Sequence, residues 1–288
     1  MKKVQMILCD LNQVLFAAVL SETMGVKKNQ PLSEKYLRHI ILNMVRSYSK
    51  QFRQKYGEMI LCCDSTSWRK QAFPFYKAHR KKNRDASDIN WPEIFTQLNK
   101  IRDELREHLP YRVLSVDGAE ADDIIALLAA RYSPSEEVLI LSSDKDFLQL
   151  QKYKNVQQYS PIKKMFILTA DPTHYIKEHI LRGDSGDGIP NFLSHDSVFV
   201  SGDRQKSISK QKMAGWLVSD PEVFCENDIM KRGYARNKML IDLDCTPEPI
   251  KNAIVEAHAN STRNPKSKIL KYLIQHQMKE LVAVIDEF

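Results

Sequence analysis

No run of apolar residues in this sequence approaches the length of about 20 needed to cross a bilayer. The opening Met1-Lys2-Lys3 leads straight into Val4–Asp10, a run too short for a secretory leader with a cleavage site. A cytosolic protein with no membrane partner is therefore expected. The five cysteines form no Cys-x-x-Cys pair, and none stands at ligand spacing from a histidine. A zinc site is not expected, and the cysteines read as small buried hydrophobes in a reducing compartment. There is no Gly-x-x-x-x-Gly-Lys-Ser/Thr loop, no Gly-x-Gly-x-x-Gly after the first strand and no Gly-x-Ser-x-Gly elbow. These absences speak against a P-loop ATPase, a dinucleotide fold and a serine hydrolase. Asp144-Lys-Asp146 lacks the later glycine and glutamate of a calcium loop. The eight histidines are scattered and read as surface or satisfied core residues.

What is present is an ordinary globular composition over 288 residues, with a formal charge of +7. The first two-thirds alternate strand and helix signals. Strands are predicted at Val4–Asp10, Glu58–Asp64, Tyr111–Val116 and Glu137–Ser143, and an edge hairpin at Val156–Ser160 and Met165–Leu168. Helices are predicted around Tyr36–Tyr48, behind a Ser33 cap, and at Pro92–Leu109 and Ala119–Tyr132. This alternation predicts an α/β protein with a mostly parallel central sheet and helices on both faces. Near Gly183 the texture changes. Beyond it, helices are expected at Lys210–Val218, Glu222–Asn237, Pro249–Ala259 and Lys268–Glu287. The expected division is an α/β unit over 1–182, carrying a basic segment at about 65–90, and a smaller helical unit over 183–288.

Aspartates stand at or just past the strand ends. They are Asp10, Asp64, Asp117 (with Glu120, Asp122 and Asp123 following), and Asp144 with Asp146. The glycine turn Gly183-Asp184-Ser-Gly-Asp187-Gly adds two more. In an open parallel sheet the carboxyl ends of the strands line one crevice. Like charges crowded there need a cation, and hard divalent ions take carboxylate oxygens. A second reading of each item is local. Asp117 and Glu120 fit a capping box at a helix start, and Asp144 or Asp146 could cap the helix holding Phe147 and Leu148.

From Arg69 to Arg84 every charged residue is basic: Arg69, Lys70, Lys77, Arg80, Lys81, Lys82 and Arg84. Trp68, Phe73, Phe75 and Tyr76 are interleaved. Cations can hold phosphates there while aromatics stack unpaired bases. The competing reading is a solvated basic loop with its aromatics tucked into the core. A second basic group, Arg204, Lys206, Lys210 and Lys212, is either a duplex-binding surface or an ordinary solvated face.

The order Asp10, Asp64, Glu120-Ala-Asp122-Asp123, Ser143-Asp144-Lys-Asp146 and Gly183-Asp184-Ser-Gly-Asp187-Gly-Ile-Pro resembles the flap endonuclease, or 5′-nuclease, superfamily. The closer resemblance is to its bacteriophage ribonuclease H branch of the T-even type. Trp68-Arg69, Tyr76-Lys77-Ala-His-Arg80, Tyr234-x-x-Asn237 and Leu240-Ile-Asp-Leu-Asp244 carry it, and it covers nearly the whole chain. The resemblance implies a PIN-like nuclease core with a helical arch and a helix-turn-helix-like element for duplex DNA. It implies 5′→3′ cleavage of phosphodiester bonds in RNA primers on DNA, in 5′ DNA ends and in flaps, during lagging-strand replication. Two Mg²⁺ ions, replaceable by Mn²⁺, are implied as cofactors. By position, Asp10, Asp64, Glu120, Asp122 and Asp144 serve the first ion, and Asp123, Asp146, Asp184 and Asp187 the second, partly through waters. Lys77 and Arg80 are implied at the scissile phosphate and Tyr76 at a terminal base. Single-strand-binding protein and sliding clamp are the implied partners of a monomer in the host-cell cytoplasm.

Two departures stand out. After Gly-Ile-Pro the family usually continues with a second glycine turn that can hold potassium. Here Asn191-Phe-Leu-Ser-His-Asp-Ser follows, so the resemblance does not extend to that site. Asp10 also lies close to the first residue, which leaves little room for the tail that close relatives use to engage the clamp. Two other readings are a catalytically silent nucleic-acid-binding protein and a PIN-type single-strand ribonuclease. The complete acid set disfavours the first, and the helical C-terminal region with the basic segment disfavours the second.

Overall fold

β1 (Met6–Asp10) is the central strand of a six-stranded sheet. It pairs in parallel with β2 (Glu58–Cys63) on one side and β4 (Val138–Leu141) on the other. β3 (Arg112–Ser115) lies outside β2 and β5 (Val156–Ser160) outside β4, both parallel. β6 (Met165–Ile167) closes the β5 edge antiparallel. The chain thus builds outward from β1 to β3, then crosses back to β4 beside β1. The order reverses between β1 and β4, and that is where an open parallel sheet forms its binding crevice. This computed structural model describes residues 5–23, 33–86 and 90–288. Val4, the first residue of the predicted strand, lies outside them. Among the described residues no helix is long and apolar enough to cross a membrane.

The sheet is covered on both faces because successive side chains in its central strands point opposite ways and nearly all are apolar. Ile7, Cys9, Met59, Leu61, Leu139 and Leu141 face one core. Met6, Leu8, Ile60, Cys62, Val138 and Ile140 face the other. In chain order the first helices are α1 (Leu11–Thr23), α2 (Glu34–Tyr56), α3 (Arg69–Ala72), α4 (Ala78–Asp85), α5 (Trp91–His108) and α6 (Ala121–Tyr132). α1, α2 and α5 cover the first face through Leu15, Ile41, Val45, Leu98 and Ile101. α6 covers the second through Ile124, Ile125 and Leu128. The α2 cap is as predicted: Ser33 accepts a hydrogen bond from the Tyr36 N–H.

The later helices are α7 (Pro172–Arg182), α8 (Val198–Ser201), α9 (Lys210–Val218), α10 (Pro221–Phe224), α11 (Asp228–Ile241), α12 (Glu248–Asn260), α13 (Lys266–Gln275) and α14 (Lys279–Val282). α7, α9, α10 and α11 enclose a small core of Leu181, Phe192, Met213, Phe224 and Met230. α13 returns to the sheet, where Ile269, Tyr272 and Leu273 join the first core.

Four expectations change. The single helix over Glu222–Asn237 is two, because Asn227 accepts from the Met230 N–H and starts a new helix. The Lys268–Glu287 helix breaks at Gln277, whose φ of 55° is left-handed. The segment after Asp144 is a 3-10 helix, Lys145–Lys152. Asp117 is not the cap of α6. Gly118, at φ 83°, turns the chain first, and Glu120 and Asp123 form the capping box instead.

Candidate metal centre and nucleic-acid surface

Asp10 ends β1, and the N–H of Gln13, in the first turn of α1, donates to its Oδ1 at 3.1 Å. Ser142, just past β4, donates to Oδ2 at 3.2 Å. Asp64, just past β2, accepts from the Ala121 N–H at 2.7 Å, which ties that strand to the start of α6. Asp122 lies in the first turn of α6, and Asp144 caps the 3-10 helix by accepting from the Asp146 N–H at 2.9 Å. Four acids from separate stretches of chain therefore meet at the switch between β1 and β4. Burial pushes Asp10 up to about 7, and Asp64 and Asp144 push in the same direction. Burial raises Asp122 strongly, as do Asp10, Asp144, Glu120 and Asp64. Asp64 is raised by burial and by Glu120. Among the described residues none of these four forms an ion pair with a lysine or arginine. A group of mutually repelling oxygens, none directly paired with a lysine or arginine among the described residues, suits a hard divalent cation.

Glu120 is held in the opposite state. Burial works to raise it, but Lys77 and Arg69 bring it down to about 2. Lys77 Nζ donates to Glu120 Oε1 at 2.6 Å and lies 3.6 Å from Asp187 Oδ2. Ser67 Oγ donates to Glu120 Oε2 at 2.9 Å. The Lys77 backbone is left-handed, with φ 55°, and its N–H donates to the Asp187 carbonyl at 2.7 Å. Such a conformation in a non-glycine residue is held by its surroundings and recurs at functional sites. Arg80, which is exposed, donates to Asp187 Oδ1 at 2.6 Å and to the Gly186 carbonyl at 3.0 Å. The predicted catalytic pair Lys77 and Arg80 is thus brought to the crevice mouth together with Asp187.

Asp123 is not brought there. Its carboxylate is fully buried beneath α6 and is taken up by Arg69, Trp68, Thr246 and the Glu120 N–H. Arg69 is likewise removed from the predicted nucleic-acid surface. It is 2% exposed, pairs with both Glu120 and Asp123, and donates to the Leu240 carbonyl. Tyr76 is 4% exposed, so its ring is not available to a base. Its hydroxyl lies 2.9 Å from Glu120 and from Asp187. Trp68 and Phe73 are buried as well, which is the core reading of these aromatics. Phe73 packs with Ile180 and Leu240 in an apolar cluster, and for Arg69, Trp68 and Tyr76 the physical reason is shared. A charge-rich segment next to an acidic crevice satisfies the crevice before it meets solvent.

The second acidic group sits on the glycine turn. Gly183 caps α7 at φ 70°, and a Cβ there would lie 2.4 Å from the Ile189 carbonyl oxygen. Asp184 Oδ1 accepts from the Gly186 N–H at 2.7 Å. Burial would raise Asp184, but His179, Lys145 and that N–H hold it well below the usual carboxylate range. Asp146 is pushed to about 7 by burial and by Asp144. Asp146, His179 and Asp184 each offer a ligand atom, all within 4.8 Å of one another. His179 escaped the sequence reading because α7 was not predicted. Only its position on the last turn of that helix aims it at Asp184. Arg236 and Asn237 were also missed as site residues, although Asn237 lay in a motif. Arg236 donates to the Pro190 and Asn191 carbonyls, and Asn237 to those of Ile180 and Pro190. They fasten the turn bearing Asp184 and Asp187 to α11.

Among the remaining basic candidates, Lys70, Lys81, Arg204, Lys206 and Lys210 are exposed. Arg84 is half-buried, with its guanidinium 5.7 Å from the Phe95 ring centroid. The side chain of Lys82 lies outside the described residues.

The model of the 5′-3′ exonuclease N-terminal, resolvase-like domain matches residues 5–179, and that of the T4 RNase H C-terminal domain matches residues 171–288. The chain belongs to the 5′-3′ exonuclease family. It is 30% identical to ribonuclease H of Enterobacteria phage T4 over 295 residues, or 98% of this chain and 95% of that protein. The flap endonuclease Xni of Shewanella woodyi is 33% identical over 137 residues, 44% of this chain and 50% of its own length. T5 5′-exonuclease with bound zinc shares the fold, with a TM-score of 0.61, 15% identity and coverage of 88% of this chain and 97% of that one. The T5 flap endonuclease solved with DNA and metal ions superposes with a TM-score of 0.59 at 16% identity, covering 88% and 99%. As a family member the chain is a phosphodiester-cleaving nuclease with a mostly parallel sheet and a helical C-terminal region. Among the described residues Asp146, His179 and Asp184 form a candidate metal site; the T5 5′-exonuclease neighbour holds divalent zinc, and the T5 flap endonuclease neighbour holds metal ions.

Proposed function

We propose that this chain is a metal-dependent 5′→3′ nuclease that removes RNA primers from RNA–DNA hybrids and trims 5′ DNA ends or flaps during lagging-strand replication. The observation that carries the reading is the group of four carboxylates at the β1–β4 switch, three of them raised toward protonation, with Lys77 and Arg80 at its mouth. Asp10, Asp64, Asp122 and Asp144, backed by Glu120, would hold one Mg²⁺, and Asp146, Asp184 and Asp187 a second, partly through waters. Mn²⁺ can substitute. Such a pair, when bound, supplies an activated water and stabilises the leaving oxygen of an in-line displacement. The chain itself supplies the ligands, their order and the phosphate grip. Burial would lower Lys77, but Asp187, Glu120 and Asp122 hold it above its ordinary value, so it stays cationic at working pH. Its Nζ and the exposed Arg80 guanidinium are then donors for a phosphate oxygen. Arg204, Lys206 and Lys210 offer a separate grip on duplex backbone. The reading extends to a monomer in the host-cell cytoplasm, working beside a single-strand-binding protein and a sliding clamp.

The test is a 5′-labelled RNA strand annealed to DNA, incubated with Mg²⁺ or with chelator. Magnesium-dependent release of short 5′ products is expected, and Asp144→Asn abolishes it while leaving DNA affinity largely intact. Absence of magnesium-dependent products from the wild type would reduce the chain to a binding protein. Preference for unpaired RNA over duplexes with a free 5′ end would make it a single-strand ribonuclease.

A further inference from the structure

We infer that His179 gives the second metal position of this chain a nitrogen donor, so that this position takes a first-row transition ion such as Mn²⁺ in preference to Mg²⁺. The inference deepens the metal-centre reading of the crevice and rests on it. His179 is 7% exposed, on the last turn of α7. Its Nε2 lies 3.1 Å from Asp184 Oδ2, a hydrogen bond in which the ring N–H donates. Asp184 is itself fixed by the Gly186 N–H and stands 3.4 Å from Lys145 Nζ. A ring held by a carboxylate at one nitrogen presents the other as a lone pair in a set direction, the usual arrangement behind a metal-bound imidazole.

That other nitrogen, Nδ1, lies 3.5 Å from Asp146 Oδ1. Both atoms are buried and neither has a hydrogen-bond partner. When Asp146 is ionised and the ring N–H is turned to Asp184, these two acceptors face each other without a donor between them, which is costly. An ion bonded to both removes the cost. The 3.5 Å separation leaves the two atoms close enough to be held by one cation. Mg²⁺ keeps an octahedral oxygen shell and sheds water reluctantly, whereas imidazole suits transition ions. A site built from one imidazole and several carboxylates therefore discriminates in favour of the latter. The four acids at the β1–β4 switch have no such nitrogen beside them among the described residues, so the two positions differ in preference.

Pulsed electron paramagnetic resonance on the intact protein loaded with Mn²⁺ reads this directly. A modulation from a coordinated imidazole nitrogen is expected in the wild type and is lost in His179→Gln. Calorimetric titrations with Mn²⁺ and Mg²⁺ give the second readout. The Mn²⁺-over-Mg²⁺ preference should fall by about tenfold or more in the variant, with Mg²⁺ affinity little changed. A wild-type spectrum without nitrogen coupling overturns the inference, and this spectrum decides alone if the variant does not fold. Unchanged ion preference in a folded variant overturns it too. If the wild type binds neither ion, the metal-centre reading fails with it. If the wild type binds both ions and shows no nitrogen, only the role of His179 is lost.

Discussion

Glu120 and Asp122 stand two residues apart at one helix start, yet their carboxylates are driven in opposite directions. Glu120 faces Lys77 and Arg69, and Asp122 faces other acids. The difference separates residues that hold the scaffold from residues that await a cation. Arg69 belongs to the scaffold. It is buried, and its removal leaves Asp123 charged and unmatched. Arg69→Met should cost about 3–5 kcal/mol in urea unfolding. A cost below about 1 kcal/mol, the scale of a surface pair, would contradict its placement. Asp10 belongs to the waiting group. Its carboxyl is raised to about 7 in the folded chain, against about 4 in an unfolded one. The folded state therefore binds more protons between those values. Stability from this group is full below pH 4 and is lost as pH rises through 7. Melting temperature measured in chelator should fall from pH 5 to pH 8, and Asp10→Asn should flatten that fall. An equally steep fall in the variant would mean that Asp10 is not the strained group.

At the scale of elements, the acids matter only because helices and turns aim them. α11 is the clearest case. Gly233 lies where that helix meets the chain after the glycine turn, and a Cβ there would come 1.9 Å from the Phe192 carbonyl oxygen. Alanine is the better helix former by about 1 kcal/mol, so propensity alone predicts that Gly233→Ala stabilises. The close approach predicts the reverse, a loss of about 2 kcal/mol, read as a lower melting temperature. A rise would show that the contact yields easily. Asn237, one turn further along, bonds two carbonyls that flank the turn. Its loss should loosen Asp184 and Asp187 without touching the β1–β4 group. Asn237→Ala is then expected to weaken Mn²⁺ binding at the His179 position more than binding at the other, in the same titrations.

For the whole molecule, charge is divided by location. Acids converge at the strand ends, while Lys70, Lys81, Arg204, Lys206 and Lys210 lie on the exterior. On the proposed reading, a polyanion is gripped at both the α3–α4 segment and the α9 region. Neutralising Arg204, Lys206 and Lys210 together should weaken duplex binding across sequences and reduce the steepness of its salt dependence by about 1 per lost phosphate contact. An unchanged salt slope would move the duplex elsewhere on the surface.

Much of this was legible in the residues because it is local. Short continuous apolar runs ending in aspartate, alternating with helical periodicity, read as buried parallel strands with their acids at one edge, and β1, β2 and β4 are those strands. Periodicity likewise marked α2, α5 and α6. It ran on through Asn227 and Gln277, where one cap and one left-handed residue stop a helix without interrupting the apolar pattern. The partners of each charge were not legible, because they come from distant stretches of chain. Whether Arg69 meets phosphate or Asp123, whether Tyr76 meets a base or Glu120, and whether His179 is a surface ring or a neighbour of Asp146 depends on how α3, α6 and α7 pack. Sequence alone determined that many carboxylates would share one crevice, since strand ends fix that by topology. Tertiary packing decided which of them are neutralised from within, because burial makes every nearby opposite charge count.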